Sequence, residues 1–179
     1  MYDDKPLLIT IEQVKELTPF SKNIDDDKIK SSLFYCQDTF ISKALGRPLY
    51  KQLLDQTDGG TISPENLILL NGNNRDLSGI RVTLAAYTAW HALMYVTYAI
   101  TQKGLVKRFD PNSDTATADD INIMRSNLLN NAESYQENLI GYLEDDRRTD
   151  TPVYPLYGEG RSDGTAKNAS SGASGIAGI

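Results

Sequence analysis

The sequence predicts an all-α fold: a helical bundle around two long antiparallel helices, with shorter N-terminal helices and an extended C-terminal tail. Three observations carry this expectation. Residues 77–103 read LSGIRVTLAAYTAWHALMYVTYAITQK, contain no proline and stop at Gly104. Residues 118–145 hold Ile121, Met124, Leu128, Ala132, Tyr135, Leu139 and Tyr142 at steps of three and four, the spacing of one helix face. Everything before residue 77 is cut by caps and breakers into short helical pieces.

The first long stretch is apolar on more than one side. Ile80, Leu84, Tyr87, His91, Tyr95 and Tyr98 follow one set of helical steps, and Val82, Ala86, Ala89, Leu93, Val96 and Ile100 another. As a helix it would span roughly 40 Å. A helix apolar nearly all round belongs either to the middle of a bundle or to a membrane. Thr83, Thr88, Thr97 and a central His91 speak against a bilayer, where such a histidine is costly. The flanks also lack a one-sided Lys/Arg cluster. The expectation is a central helix without membrane contact, which Ala85, Ala86, Ala89, Ala92 and Ala99 let its neighbours approach closely.

The shorter elements follow in order. Thr10, with Gln13 three residues on, makes a capping box for a helix over 11–17, ended before Pro19. Asp25, Asp26 and Asp27 charge-match the start of the next helix; a metal site would need further ligands beside them. That helix runs to Leu45 on an apolar face of Ile29, Leu33, Cys36 or Phe40, Ile41 and Leu45. Gly46 closes it as a left-handed cap, and Pro48 opens another helix at its first position. Leu49, Tyr50, Leu53 and Leu54 form the buried side of this second helix, so the pair makes a tight αα-hairpin. Residues 56–62 read as a loop. Ser63 and Pro64 start a helix packed by Leu67, Ile68, Leu69 and Leu70, which the run Asn71, Gly72, Asn73, Asn74 breaks. Leu105 to Phe109 could pair as an edge strand or project as a finger. Thr117 and Asp120 cap the second long helix.

Composition narrows the function. The chain has 179 residues, a net charge of -6 and 40% apolar residues. The acidic balance argues against a nucleic-acid reader, which needs a basic footprint. The single cysteine, Cys36, permits no internal disulfide. The start MYDDKPLLIT lacks the basic and apolar regions of an export signal.

Catalytic chemistry is sparse. No phosphate-loop, dinucleotide, zincin or Cys/His metal spacing occurs, so no catalytic, cofactor-binding or metal-binding residue is assigned. His91 is expected in a hydrogen-bonded core or interface role, with no Ser or Cys partner standing out. Cys36 is expected to be buried. Glu144, Asp145 and Asp146 read as a solvated helix end.

The domain reading is a helical body over 1–148 and an interaction tail over 149–179. Tyr154 and Tyr157 flank Pro155 and Leu156 in a proline-restricted stretch. Aromatics on such a segment either anchor in a partner's groove or fold back on their own bundle. From Gly158 on, six of the thirteen glycines fall in the last 22 residues with no aromatic. That composition cannot bury enough surface to order alone, and the end is expected to become fixed only against other molecules.

The run YCQDTFISKALGRPLYKQLL, residues 35–54, resembles a recurrent signature of tailed-bacteriophage head–tail connector proteins, of the crAss-like or related Bacteroidetes-phage type. Those pair a long helix ending in "LG" with a short helix carrying "LY..LL", here Leu45-Gly46, Leu49-Tyr50 and Leu53-Leu54. The long alanine- and aromatic-rich helix, KGLVKRF, the Asn/Ser/Asp-rich loop and a last long helix also fit, over roughly residues 5–145. The resemblance implies a structural virion protein made in the host bacterial cytoplasm and resident at the head–tail junction. Its members form rings, commonly dodecameric, that stack on the portal, extend the DNA channel for genome ejection and join capsid to tail. The implied partners are further copies of the chain, the portal and the next tail component, with DNA passing without sequence-specific binding. The expected interface residues are Tyr154, Leu156, Tyr157, Phe109 and Arg108, with the 105–117 loop facing a neighbour or the channel. The competing expectation is a soluble helical partner-binding module of a cellular complex. An enzyme acting through Asp25, Asp26 and Asp27 is the weakest.

Overall fold

A computed structural model of the chain describes residues 5–73, 75–101, 104–107 and 117–159. Helix α1 (Ile11–Leu17) begins at the expected capping box: Gln13 N donates to Thr10 Oγ1 at 3.2 Å, and Thr10 N donates to Gln13 Oε1 at 3.1 Å. Helix α2 (Asp26–Cys36) starts where the Asp25 carboxylate accepts from Asp27 N at 3.2 Å. The acidic triplet therefore serves a helix start.

The helix expected to continue to Leu45 does so through a change of winding. After α2 comes a π-helical turn (Gln37–Ile41) and then α3 (Ser42–Leu45). The cause is visible in the spacing of the fully buried residues Ile29, Leu33, Cys36, Ile41 and Leu45. The step from 36 to 41 is too long for an α-helical face, and a π turn absorbs the extra residue. Ile41 faces the core as a result, and Phe40 is only partly buried. The same turn aims Gln37 inward, fully buried. Its Nε2 donates to Pro6 O at 3.0 Å and its Oε1 accepts from Leu8 N at 2.9 Å. One amide thus satisfies two backbone groups of the entering segment, which would otherwise be buried unpaired.

Gly46 takes φ 78° and ψ 154°, an extended conformation with positive φ rather than the expected helical left-handed cap. Helix α4 (Arg47–Asp58) starts one residue before Pro48 and runs past Leu54, so residues 56–58 are helical where a loop was expected. Helix α5 (Pro64–Asn71) is capped by Ser63, whose Oγ accepts from Asn66 N at 3.3 Å. Its four consecutive apolar residues do not all pack: Leu69 and Leu70 are buried, Leu67 and Ile68 exposed. Four residues in a row go round a whole helical turn, so some must face out.

Helix α6 (Ile80–Thr97) is the centre, contacting α1, α2, the π turn, α5 and α7. Ala85, Ala89 and Ala92 are fully buried, which lets neighbouring backbones come close. Its two fully buried threonines turn inward on their own helix: Thr83 Oγ1 donates to Gly79 O at 2.9 Å and Thr88 Oγ1 to Leu84 O at 2.7 Å. The hydroxyls are thereby hidden from the apolar contacts around them. The helix stops at Thr97, well before Gly104. Strand β1 (Tyr98–Thr101) pairs antiparallel with β2 (Gly104–Lys107), Tyr98 opposite Lys107 and Thr101 opposite Gly104. Up to residue 94 the stretch is rich in alanine and leucine; from Tyr95 to Thr101 it is β-branched and aromatic except for Ala99, a composition that favours a strand. Of the two expectations for 105–109, pairing as a strand is realised as far as Lys107. Among the described residues no helix is long and apolar enough to cross a membrane.

Helix α7 (Ala118–Arg147) starts at a second capping box, between Thr117 and Asp120. Ile121, Leu128, Ala132, Leu139 and Leu143 are buried, whereas Met124 lies off the buried face at 39% exposure. Two contacts tie α7 to the centre. The Arg125 guanidinium lies over the Trp90 ring at 5.1 Å. Asn138 accepts from Ser78 N at 2.8 Å and donates to Asp76 O at 2.7 Å.

The packed body extends past residue 148. Asp146 accepts from Val153 N at 3.0 Å and from Tyr154 N at 2.9 Å. Tyr154 and Tyr157 are buried at 4% and 3% exposure, and their hydroxyls donate to Glu65 O at 2.8 Å and Glu144 Oε1 at 3.0 Å. The helix end expected to be merely solvated is therefore a clamp: two of its carboxylates hold the strap over 149–159. The glycine-rich expectation for 160–179 lies outside the described residues.

Candidate functional site

Of the expected interface residues, Tyr154, Leu156 and Tyr157 are among the described residues. Tyr154 and Tyr157 are turned onto the chain's own body, Leu156 is half-buried against the same core, and Phe109 and Arg108 lie outside the described residues. Of the two expectations for these tyrosines, folding back on the chain's own bundle is the one seen here. Proline restriction made the strap stiff, and the carboxylates of α7 gave it a place to bind within the chain.

An exposed aromatic surface lies between α2 and α6. Tyr87, His91 and Tyr95 recur at four-residue steps along α6, and Tyr35 and Phe40 come from α2 and the π turn. The rings form a continuous ledge. Tyr35 stacks on His91 with centroids 4.4 Å apart, and His91 meets Tyr95 at 5.4 Å. Phe40 lies flat on Tyr87 at 4.2 Å and edge-on to Trp90 at 5.9 Å. Trp90 carries Arg125 on its face. Tyr87 is buried beneath, while Tyr35 and Tyr95 are 47% and 50% exposed. Beside them opens a cavity of about 590 Å³ lined by Asp27, Lys28, Ser31, Tyr35, His91 and Tyr95. Tyrosine, tryptophan and arginine together are the residue types that dominate binding energy at protein interfaces.

His91 has a serine partner that the sequence did not reveal: its Nδ1 lies 3.0 Å from Ser32 Oγ. The geometry is that of a nucleophile and its base, but Ser32 is fully buried and offers its hydroxyl to no substrate. The pair is a structural tie between α2 and α6. Burial, with Arg125 nearby, holds the His91 imidazole below its ordinary range, so the neutral ring is the form that fits. Stability from this site is full above about pH 6.5, the ordinary imidazole value, and is lost as pH falls through the depressed folded value. The wild-type chain is expected to lose more stability between about pH 7.5 and about pH 5 than His91→Gln does. Urea unfolding at both pH values checks this, and equal losses would remove His91 from the account.

The remaining reactive groups are shielded. Burial pushes the Cys36 thiol up to about 12, against a lowering hydrogen bond with Thr88, which leaves it without thiolate character. Burial and then the Glu133 charge push Tyr87 up to about 12. Among the described residues no group of three or more His, Cys, Asp or Glu side chains could hold a metal ion.

The exposure of Tyr95 was not legible from spacing, because it continues the series Ile80, Leu84, Tyr87, His91, whereas Tyr35 lies off the apolar face read for its helix.

A family model described as a family of unknown function (DUF6712) matches residues 41–165, which includes the corner at Gly46, both long helices and the strap. No curated protein and no solved structure matches the chain.

Proposed function

We propose that this chain, which belongs to the DUF6712 family of unknown function, is a structural virion protein, a head–tail connector that stacks as a ring on the portal. In this reading α6 and α7 form an antiparallel spine. Residues 78 and 138 meet at one end and residues 90 and 125 further along, so the two helices run in opposite senses. The observation that carries the reading is the β1–β2 hairpin at the end of that spine. Among the described residues its strands pair with each other, and its main contact outside the pair is with α6, from which it grows. A two-stranded hairpin is marginal by itself in water and leaves open edges. Such an element gains most from a neighbouring molecule, as a ring subunit would supply. The likeness over residues 35–54 adds the type of assembly, and its helix–glycine–helix corner at Gly46 is a folded feature of this chain.

Ring copies would extend the DNA channel and present a platform to the next tail component. The net charge of -6 suits a lumen through which DNA slides without adhering. Co-expression with the portal protein from the same genome tests the assignment. A ring seated on the portal, seen by negative-stain imaging, is the expected result. Purified particles that lack the chain, together with no portal association, would overturn it in favour of a helical binding module of a cellular complex. A monomer in isolation counts for neither, because a portal can template the ring.

A further inference from the structure

We propose that Asn71 is a site of spontaneous deamidation whose rate is set by opening of the corner between α5 and α6, and that its isoaspartyl product breaks that corner. This is independent of the connector reading. Asn71-Gly72 is the one Asn-Gly step in the sequence. A glycine after asparagine leaves the backbone nitrogen unshielded by a side chain, so this step closes more readily than any other asparagine in the chain. The reaction needs only water. Gly72 N bonds to Asn71 Cγ, the Cγ–Nδ2 bond breaks, and ammonia leaves with the proton that Gly72 N gives up. Water then opens the succinimide ring at either carbonyl, giving aspartate or isoaspartate at position 71.

The folded corner withholds the attacking nitrogen. Asn71 is the last residue of α5, where the next backbone N–H points along the helix axis and the side chain points outward. Gly72 N accordingly donates to Ile68 O at 2.7 Å, back into the helix and away from Asn71 Cγ. Gly79 covers the same nitrogen: a Cβ on Gly79 would lie 2.3 Å from it. The amide is held as well. Arg81 Nη1 donates to Asn71 Oδ1 at 2.5 Å and Arg81 Nε to Leu8 O at 3.0 Å, which ties the Asn71 side chain to the first turn of α6. Asn71 itself is exposed, so neither the entry of water nor the exit of ammonia is the obstacle. The reaction waits for the corner to open locally.

The two products differ at this corner. Aspartate places a carboxylate where the amide was, opposite the Arg81 guanidinium, which has no carboxylate ion pair among the described residues. Isoaspartate routes the backbone through the former side chain and adds one backbone atom before Gly72. Gly72 and Gly79 are in direct backbone contact, so the added atom separates them and displaces the start of α6.

The test incubates the full chain at mildly alkaline pH, in buffer and in concentrated urea. Peptide mapping by mass spectrometry separates aspartate from isoaspartate at position 71, and NMR reads hydrogen exchange of the Gly72 amide in the same buffer. Conversion in the folded chain is expected to be about a hundredfold or more slower than in urea, by the same factor that protects the Gly72 amide from exchange. Asn71→Asp is expected to leave the melting temperature unchanged or raised, and the isolated isoaspartyl chain to melt about 5 °C or more lower. Conversion too slow to detect agrees with the proposal when Gly72 exchange is equally arrested and overturns it when that exchange is measurable. Conversion in the folded chain within about tenfold of the rate in urea would also overturn it, as would a rate that does not follow Gly72 exchange or an isoaspartyl chain as stable as its parent.

Discussion

Gly79→Ala is expected to destabilise the chain by about 4 kcal/mol, near the top of the range for single substitutions. Gly79 has φ +89°, and a Cβ there would lie 2.3 Å from Gly72 N and 2.6 Å from Asn71 C. Gly72 faces it with φ +81°, and a Cβ on Gly72 would lie 2.5 Å from Leu77 O. Two backbones are in direct contact, and neither can yield as the end of a flexible side chain could. The loop between them is pinned from inside and outside. Asn73 Oδ1 accepts from the backbone N–H of Arg75, Asp76 and Leu77, and Asn138 of α7 holds Asp76 and Ser78. This loop sets where α6 begins, so a shift here is felt by every helix packed on it. Gly60→Ala separates the two causes. Gly60 also has positive φ, +68°, but nothing lies within 4 Å of its Cβ position, and the cost should be only the backbone strain, about 1 kcal/mol. Urea or thermal unfolding of both variants reads the difference. Equal losses would mean that the contact between Gly72 and Gly79 contributes nothing.

How far the fold could be read from the chain depended on how local each signal is. Thr10 with Gln13 and Thr117 with Asp120 fix helix starts within four residues, and both capping boxes formed where the sequence put them. Alanine-rich α6 declared itself the centre because no side of it is polar. The end of that helix was harder. Helical spacing continues through Tyr98 and Ile100, and only the change from alanine to β-branched residues marks the strand, a weaker signal that depends on finding β2 across the turn. The π turn was written in the step from Cys36 to Ile41, but an α-helical template hides it by accepting Phe40 instead. Gln37 and Asn138 were illegible for another reason. Each acts through backbone groups about thirty or sixty positions away, and no pattern local to an amide encodes such a partner.

Tyr154 and Tyr157 show how composition misleads about a terminus. The strap between Thr149 and Glu159 looks like the beginning of a polar tail, yet its two tyrosines are among the buried residues of the core. A chain ended after residue 149 is therefore expected to lose about 3 kcal/mol, the lower part of the range for emptying a large aromatic site. The loss includes two hydrogen bonds to Asp146 and the hydroxyl bonds to Glu65 and Glu144. A chain ended after residue 159 keeps all of these. The remaining segment is rich in glycine and serine without an aromatic residue, so its removal should change stability by less than about 0.5 kcal/mol. Thermal unfolding of the two truncations against the full chain decides the point, and equal behaviour of the two would show that the strap adds nothing to the fold. The contrast also fixes how an assembly role for the end must be tested. Cutting at 149 injures the body itself, and a failure to enter particles would then say nothing about partners. Cutting at 159 leaves the clamp of Glu144 and Asp146 occupied. A folded chain that no longer joins the portal after that cut would assign the docking role to the last twenty residues; one that joins normally would assign it to the body.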